Sequence, residues 1–174
     1  GAWAFEYCTS LRGIVIPNIV KRIENAAFKN CTGMTDVTLG EGLEEIGASA
    51  FLWCTALRGI VIPNTVKMIE YAAFCECTGM TDVTLGEGLE EIGAWAFAGC
   101  RSLRGIVIPN AVKRIEEVAF SNCTGMTNVI LGEGLEEIWE YAFAICESLE
   151  RICIPPAVKD IHDCAFERCS NLTH

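Results

Sequence analysis

Histidine and long apolar runs are scarce in this chain of 174 residues. The only two histidines, His162 and His174, lie near the end of the sequence, so serine and cysteine residues elsewhere have no histidine base close in sequence. No apolar run approaches the ~20 residues that span a bilayer, and no signal-peptide pattern opens the sequence. These absences argue against an enzyme, against a cofactor and against direct membrane insertion.

Positively charged residues are also scarce relative to negatively charged ones. The sequence has 13 Lys plus Arg against 23 Asp plus Glu, a formal net charge of −10. This balance argues against binding to nucleic-acid phosphates and against attraction to anionic membranes. Hydrophobic residues make up 51% of the chain, and a domain of this length buries about 68–70% of the surface that its unfolded chain exposes. We therefore expect a packed core that needs no disulfide bond or metal ion to stabilise it.

A repeat of 23 residues runs through the whole sequence. The eight phenylalanines all fall on one series: Phe5, Phe28, Phe51, Phe74, Phe97, Phe120, Phe143 and Phe166. We call each 23-residue unit that starts at such a Phe a coil, and number its positions from that Phe as +1, +2 and so on. A cysteine occupies +3 in every coil: Cys8, Cys31, Cys54, Cys77, Cys100, Cys123, Cys146 and Cys169. A unit this short cannot close its own core, so stacked coils must bury each other's apolar columns.

The other apolar positions indicate one strand and one turn in each coil. Leu or Met stands at +6, Ile or Val at +9 and Ile or Leu at +11, which is the alternation of a strand. Pro or Gly ends this segment at +12. Equivalent strands would pair in parallel at ~4.8 Å and form one long sheet. Positions +19 to +3, as in 116–123, are predicted to form a short helical or 3₁₀ turn on the opposite side.

The pattern IPxxVxxIxxxAFxxCxxLxxIxIP resembles the BspA-like leucine-rich repeat and covers the whole chain. The resemblance implies an α/β fold: a right-handed solenoid of about seven coils, with a parallel sheet on one face and short helical turns on the other. It also implies a surface or secreted protein of the kind found in bacteria and protists, which binds other macromolecules. We expect residues 1–174 to form a single solenoid domain. The predicted core columns are Phe28, Phe51, Phe74, Phe97, Phe120 and Phe143 with Cys31, Cys54, Cys77, Cys100, Cys123 and Cys146.

Neighbouring coils differ, so the larger unit is 46 residues. The segments 12–57, 58–103 and 104–149, which we call super-repeats 1, 2 and 3, agree at 31 of 46 positions. Charge alternates at +16: Lys21, Glu44, Lys67, Glu90, Lys113, Glu136 and Lys159. Stacking would place each of these charges beside opposite ones. We expect the alternation to select the register of stacking, because each exposed pair contributes only ~0–1 kcal/mol.

The super-repeats differ most at +19 to +21 and at +1 and +2. Every Trp and Tyr in the chain lies in this region, including Trp53, Tyr71, Trp95, Trp139 and Tyr141. Aromatic side chains are enriched where proteins bind proteins. We interpret these five residues, named the aromatic flank, as the binding surface for a protein partner. The alternative is that the rings only cover gaps between turns and that the variation is drift after duplication.

Two further functions stay open. The solenoid could be a structural scaffold in a larger assembly, stacking end to end. It could also bind ice or another crystal surface through a flat row at +10, although neighbouring Arg and Asp side chains roughen that face. The row comprises Val15, Thr38, Val61, Thr84, Val107 and Ile130.

The cysteines are predicted to be free thiols rather than disulfide-bonded residues or metal ligands. Parallel Cβ vectors keep stacked cysteines too far apart to bridge, and the spacing of His162, Cys164 and Cys169 matches no strong zinc motif. Cys75, Cys153 and Cys164 lie outside the column and could be reactive. Asn30, Asn122 and Asn171 open N-x-T sequons that permit glycosylation in a secreted protein. Surface placement from the family and reduced thiols point to different compartments, so the location stays open.

The ends of the sequence lack an evident cap. A solenoid needs polar caps over its terminal coils, whereas the sequence begins at Gly1, inside a coil, without an initiator Met. We expect either that this sequence is a fragment of a longer chain whose flanking segments cap the solenoid, or that its exposed ends contact another molecule. The last coil is the most divergent, and a C-terminal cap is predicted to begin there.

Overall fold

Each coil contributes two short strands, and equivalent strands of successive coils pair in parallel. The computed structural model describes residues 1–173, and His174 lies outside the described residues. The chain winds into a β-solenoid whose paired residues are 23 positions apart, such as Ile14 with Val37. The sequence therefore predicted both the solenoid and its period correctly.

The predicted strand lies at +8 to +10, but it does not form one continuous sheet. Its members, the first ladder, are β1 (Gly13–Val15), β3 (Asp36–Thr38), β5 (Gly59–Val61), β7 (Asp82–Thr84), β9 (Gly105–Val107), β11 (Asn128–Ile130) and β13 (Arg151–Ile152). They hydrogen-bond as three separate groups, β1 with β3, β5 with β7, and β9 with β11 and β13. The two breaks fall between super-repeats 1 and 2 and between super-repeats 2 and 3, whereas β13, which follows super-repeat 3, pairs with β11.

A second ladder, at +17 and +18, was not predicted. It comprises β2 (Arg22–Ile23), β4 (Glu45–Ile46), β6 (Met68–Ile69), β8 (Glu91–Ile92), β10 (Arg114–Ile115), β12 (Glu137–Ile138) and β14 (Asp160–Ile161). These seven strands pair without interruption. Six steps separate them, so the solenoid has about six turns, and the expected seven coils are a slight overestimate.

The predicted helical turns at +19 to +3 are wrong. In residues 1–173 this side consists of consecutive turns, which we call the turn column, and no helix is present. Residues at +21 and +2 take positive φ in every coil, as in Ala26 (54°) and Asn30 (60°), and a right-handed helix cannot contain them. The backbone N–H groups at +21, 0 and +2 donate to carbonyls 22 residues later, on the adjacent turn of the solenoid, as Phe28 N–H does to Ala50 at 2.8 Å. Bonds between coils have replaced the bonds within a helix.

The interior is a set of continuous columns. Phe51, Phe74, Phe97, Phe120 and Phe143 are fully buried, and Phe28 nearly so. Neighbouring rings in the phenylalanine column are 5.1–5.5 Å apart with planes within 11° of parallel. The column ends at Phe5, which is 40% exposed, and at the partly buried Phe166. Such offset stacking of rings adds to the free energy of apolar burial.

The cysteine column packs beside the rings and makes a specific contact. Each thiol donates to the carbonyl of the Phe in the preceding coil, for example Cys77 Sγ to Phe51 O at 3.2 Å. The same bond recurs from Cys31 through Cys169. Cysteine at +3 therefore supplies a weak donor inside the core as well as a small apolar side chain.

Coils of two types nest against each other at their turns. In three coils the strand is followed by Ile-Pro-Asn, and in the coils after them by Leu-Gly-Glu-Gly; we call these IPN coils and LGEG coils. The Asn64 side-chain carbonyl accepts the N–H of Glu87 in the next coil at 2.9 Å. A Cβ on Gly88 would lie only 1.9 Å from the main-chain carbonyl oxygen of Asn64. Glycine at this position is required because the two backbones approach too closely for a side chain.

The alternating charges at +16 pair mainly within a super-repeat. Lys21 contacts Glu44 at 2.8 Å and Lys67 contacts Glu90 at 2.9 Å. Glu136 contacts both Lys113 and Lys159. Opposite charges thus meet across the coil boundary, and their exposed positions keep each contribution to stability small.

Candidate partner surface

The aromatic flank lies within the turn column. Four of its five side chains are substantially exposed: Trp53 at 44%, Tyr71 at 55%, Trp95 at 40% and Tyr141 at 39%. Tyr and Trp side chains are enriched where proteins bind other proteins. The predicted flank residues therefore lie where a partner could reach them.

Trp139 is the member of the flank that is held by its own neighbours. Its ring is half-buried and stacks on His162, with centroids 4.8 Å apart. Its Nε1–H donates to Glu137 at 2.9 Å. In the described chain this histidine packs against an aromatic ring, and no group of three or more His, Cys, Asp or Glu side chains is arranged to hold a metal ion.

Three aromatic side chains of the flank stand on left-handed backbone. Trp53, Trp95 and Tyr141 have φ of 61°, 63° and 56°. This conformation costs a residue other than glycine roughly 1–2 kcal/mol. Since the same two positions are left-handed in every coil, including coils without aromatics, the strain belongs to the fold and not to a binding site.

Super-repeat 1 carries a charged cluster that sequence analysis missed. Arg22 extends from β2 and donates to Glu45 at 2.9 Å and to Glu70 at 3.0 Å. Glu70 also accepts the N–H of Ala48 at 2.8 Å. A hydrogen bond between the carboxyl groups raises the pKa of Glu45 and lowers the pKa of Glu70, so a shared proton would reside on Glu45. The cluster spans three coils, and only the register of the second ladder would have revealed it.

An open groove lies in the equivalent region of super-repeat 2. It has a volume of about 320 Å³ and runs between Tyr71 of the flank and the second ladder. Met68, Ile69 and Ile92 form its apolar floor, while Glu70, Glu91, Arg114 and Glu116 contribute charge. Gly93 and Ala94 leave it unfilled at the side where super-repeat 3 carries Trp139 and Glu140.

The first ladder presents a different surface. The residues at +10 point outward and are exposed, among them Val15, Val61, Val107 and Ile130. Thr38 and Thr84 are exposed in the same row. This row consists of aliphatic side chains and threonines, whereas the flank is aromatic.

The cysteines outside the column differ in their surroundings. Cys153 and Cys164 are exposed and Cys75 is half-buried. Burial raises the pKa of Cys75 to about 11, with a smaller contribution from the charge of Glu76. A hydrogen bond with Cys164 raises the pKa of the neighbouring Tyr141 phenol.

One glycosylation sequon is blocked in the folded chain. The side-chain amide nitrogen of Asn30, the atom that would carry a sugar, is buried and has no hydrogen-bond partner among residues 1–173. Modification there would require the turn to open.

Comparison with known proteins identifies the repeat. The family model described as "BspA type Leucine rich repeat region" matches in six copies over residues 1–124 and 44–173. No curated protein matches the chain. No helix in the described part of the chain is long and apolar enough to span a bilayer.

Solved structures of bacterial leucine-rich repeat proteins share the fold. The leucine-rich repeat protein of T. pallidum is 32% identical, with a TM-score of 0.78 over 85% of this chain and 69% of that one. A protein from Bacteroides ovatus is 29% identical, with a TM-score of 0.90 over 99% of this chain. A leucine-rich cell surface protein from Faecalibacterium prausnitzii is 28% identical, with a TM-score of 0.61 over 94% of this chain.

The chain spans only part of the longer of these relatives, 44% of the B. ovatus protein and 38% of the F. prausnitzii protein. The repeat, the two ladders and the internal columns extend across nearly all the described residues, and the family model covers the same span. The chain therefore belongs to the BspA-type leucine-rich repeat family.

Proposed function

We propose that this chain is a non-catalytic binding module that presents its aromatic flank to a protein partner. The observation that carries the proposal is the concentration of exposed Trp and Tyr side chains on one flank of a molecule whose interior is nearly invariant. Such side chains bury large apolar area at low entropic cost, as hot-spot residues do. Placement at a cell surface or outside the cell is part of the proposal, and the F. prausnitzii relative, a cell surface protein, supports it.

The indented shape of this surface supports protein binding over attachment to a flat solid. Tyr71 of the flank lines an open groove of about 320 Å³ with both apolar and charged walls. Protein-binding surfaces combine a desolvated apolar centre with a polar rim. The row at +10 of the first ladder carries no Trp or Tyr side chain.

The test compares two sets of exposed apolar residues on the same fold. In one variant Trp53, Tyr71 and Trp95 are replaced by Ser, and in the matched control Val15, Val61 and Val107 are replaced by Ser. Each protein is immobilised and exposed to a surface-protein extract, and bound proteins are quantified by mass spectrometry. We expect at least one protein to be depleted tenfold or more by the flank variant and retained by the control.

Circular dichroism of both variants checks that the solenoid is intact. If every captured protein binds the flank variant and the wild type equally, the aromatic flank is not the binding surface. Loss of binding only in the valine control would transfer the site to the first ladder.

A further inference from the structure

Super-repeat 1 shows how a guanidinium is held on this surface. Arg22 lies between two carboxylates, with Nη1 2.9 Å from Glu45 and Nη2 3.0 Å from Glu70. Glu45 is its direct neighbour in the second ladder, and Glu70 lies one coil further along. Bonds from both ends of a planar guanidinium give strong and directional recognition.

Super-repeat 2 repeats the carboxylates without the guanidinium. Forty-six residues after Arg22, Glu45 and Glu70 stand Met68, Glu91 and Glu116. Met68 pairs with Glu91 in the same ladder register, but its thioether cannot donate a hydrogen bond. The Glu91 carboxylate makes no hydrogen bond or ion pair with any of residues 1–173, whereas Glu116 pairs with Arg114.

The equivalent carboxylate in super-repeat 3 also has a planar N–H donor. Glu137 accepts from the indole of Trp139, at 2.9 Å. Of the three equivalent carboxylates, Glu45 and Glu137 are thus satisfied from within the chain, and Glu91 is not. The two filled positions indicate the shape of a suitable occupant, which is a flat group with N–H donors.

The space for such a group is present. The open groove of about 320 Å³ has Glu91 and Glu116 in its wall, Met68 in its floor and Tyr71 at its edge. A methionine thioether and a tyrosine ring are both suitable surfaces for the face of a guanidinium. Gly93 and Ala94 keep the opposite side clear.

The charge of the groove favours a cation. Glu70 is compensated by Arg22 and Glu116 by Arg114, so Glu91 is left without compensation. A neutral indole would leave that charge in place, whereas a guanidinium would neutralise it. Arginine is therefore the side chain that matches both the template in super-repeat 1 and the local charge.

We propose that the groove binds an arginine side chain of a protein partner, with its guanidinium between Glu91 and Glu116 as Arg22 lies between Glu45 and Glu70. The inference rests on the proposed protein-binding function and names the chemistry of one contact in it. A complete interface would add the aromatic flank around this arginine.

The direct test is a titration of the ¹⁵N-labelled chain with a blocked pentapeptide, acetyl-Gly-Gly-Arg-Gly-Gly-amide. We expect saturable shifts of the Gly93 and Ala94 amide signals. The same peptide with citrulline, which is nearly isosteric and uncharged, should bind at least tenfold more weakly. Equal binding of the two peptides, or no shift at these amides, would overturn the proposal.

Two substitutions exchange the properties of the super-repeats. Met68→Arg should supply the missing guanidinium from within the chain and reduce peptide affinity at least tenfold, while Met68→Leu, the matched control, should leave it within about twofold. Arg22→Met should create a second site and add shifts at Gly47 and Ala48. Wild-type affinity in Met68→Arg would contradict the proposal, and unchanged amide signals elsewhere would verify the fold of each variant.

The outcomes separate this inference from the broader function. If the peptide does not bind but the flank variant loses a captured protein, the arginine contact is wrong and the binding function stands. If the peptide binds as described while flank substitutions affect no captured protein, the groove binds arginine and the aromatic flank is not the surface that binds the protein partner.

Discussion

The phenylalanine and cysteine columns repeat every 23 residues, whereas the turns where coils nest repeat every 46. Phe, Cys and the Ala before each Phe recur in every coil and form uniform columns. At the nesting turns an IPN coil is followed by an LGEG coil, so Asn64 meets Gly88 and Lys67 meets Glu90. Like residues stack in the phenylalanine and cysteine columns, while unlike residues meet at the nesting turns.

The difference follows from the interactions involved. Stacked rings and apolar side chains can pack against identical neighbours, because dispersion and apolar burial need no complementary partner. Hydrogen bonds and ion pairs need a donor facing an acceptor and a cation facing an anion. Backbone N–H groups and the column thiols find acceptors in every coil, but side chains of a single charge, such as Lys67 and Glu90, need two alternating kinds of coil.

The largest expected effect tests the uniform interior. Phe97→Ala removes a fully buried ring and leaves a cavity in the column, so we expect the free energy of unfolding to fall by about 3–5 kcal/mol. Phe74→Ala, in a coil of the other type, should cost the same. Urea unfolding followed by circular dichroism measures both variants. A large difference between them would show that the interior also depends on coil type.

The next effect tests the alternation at the nesting turns. Gly88→Ala places a methyl group against the Asn64 carbonyl and should lower the free energy of unfolding by about 1–3 kcal/mol, because the backbone must shift. The same position in an IPN coil tolerates different side chains, namely Ile19, Thr65 and Ala111. Ala111→Thr is the matched control and should change stability by less than about 0.5 kcal/mol. Equal costs for the two substitutions would contradict the nesting.

The smallest effect, counted for one group over one pH unit, concerns the buried thiols and appears at high pH. Burial raises the pKa of Cys54 and Cys123 from the ordinary value of 9.0 to about 12, and that of Cys77 and Cys100 well above it. Above about pH 9 the unfolded chain loses these protons and the folded chain keeps them, so stability falls as pH rises. Each thiol should contribute a loss of about 1.4 kcal/mol per pH unit.

Cysteine variants assign this slope to the column. Cys100→Ala should reduce the slope of stability between pH 9 and pH 11 by the share of one thiol, while Cys153→Ala, which removes an exposed thiol, should leave it unchanged. The measurement is urea unfolding at several pH values. A slope equal in all three proteins would mean that the thiols of the column ionise in the folded state.

Long-range repetition made the interior predictable. The spacing of Phe28, Phe51 and Phe74 predicted stacked coils, and the alternation at +9 and +11 predicted the strands of the first ladder, because burial imposes a visible pattern. The second ladder has only two residues in each strand, too few for alternation to be recognised. Left-handed turns at residues such as Trp95 and Val118 have no sequence signature, since they are stabilised by hydrogen bonds between coils.

The candidate site was predictable only in part. The aromatic flank stood out because Trp and Tyr are confined to the most variable positions of the repeat. The cluster of Arg22, Glu45 and Glu70 joins residues 23 and 25 positions apart, and the residues at +17 show no regular alternation of charge. Knowing which side chains share the second ladder was necessary to find the cluster and the open groove that corresponds to it.

The hydrogen bonds at +21, 0 and +2 of the turn column all run in the same direction along the axis. Three N–H groups in each coil point toward the C-terminal neighbour, so their peptide dipoles, ~3.5 D each, add instead of cancelling. At these three positions any boundary between coils has donors on one face and acceptors on the other, whereas the bond at +19 runs the opposite way, as from Gly47 N–H to Ile23. A tandem copy of a super-repeat meets complementary faces on both sides when it is inserted in the same direction, and the backbone of this fold accepts lengthening by duplication for that reason.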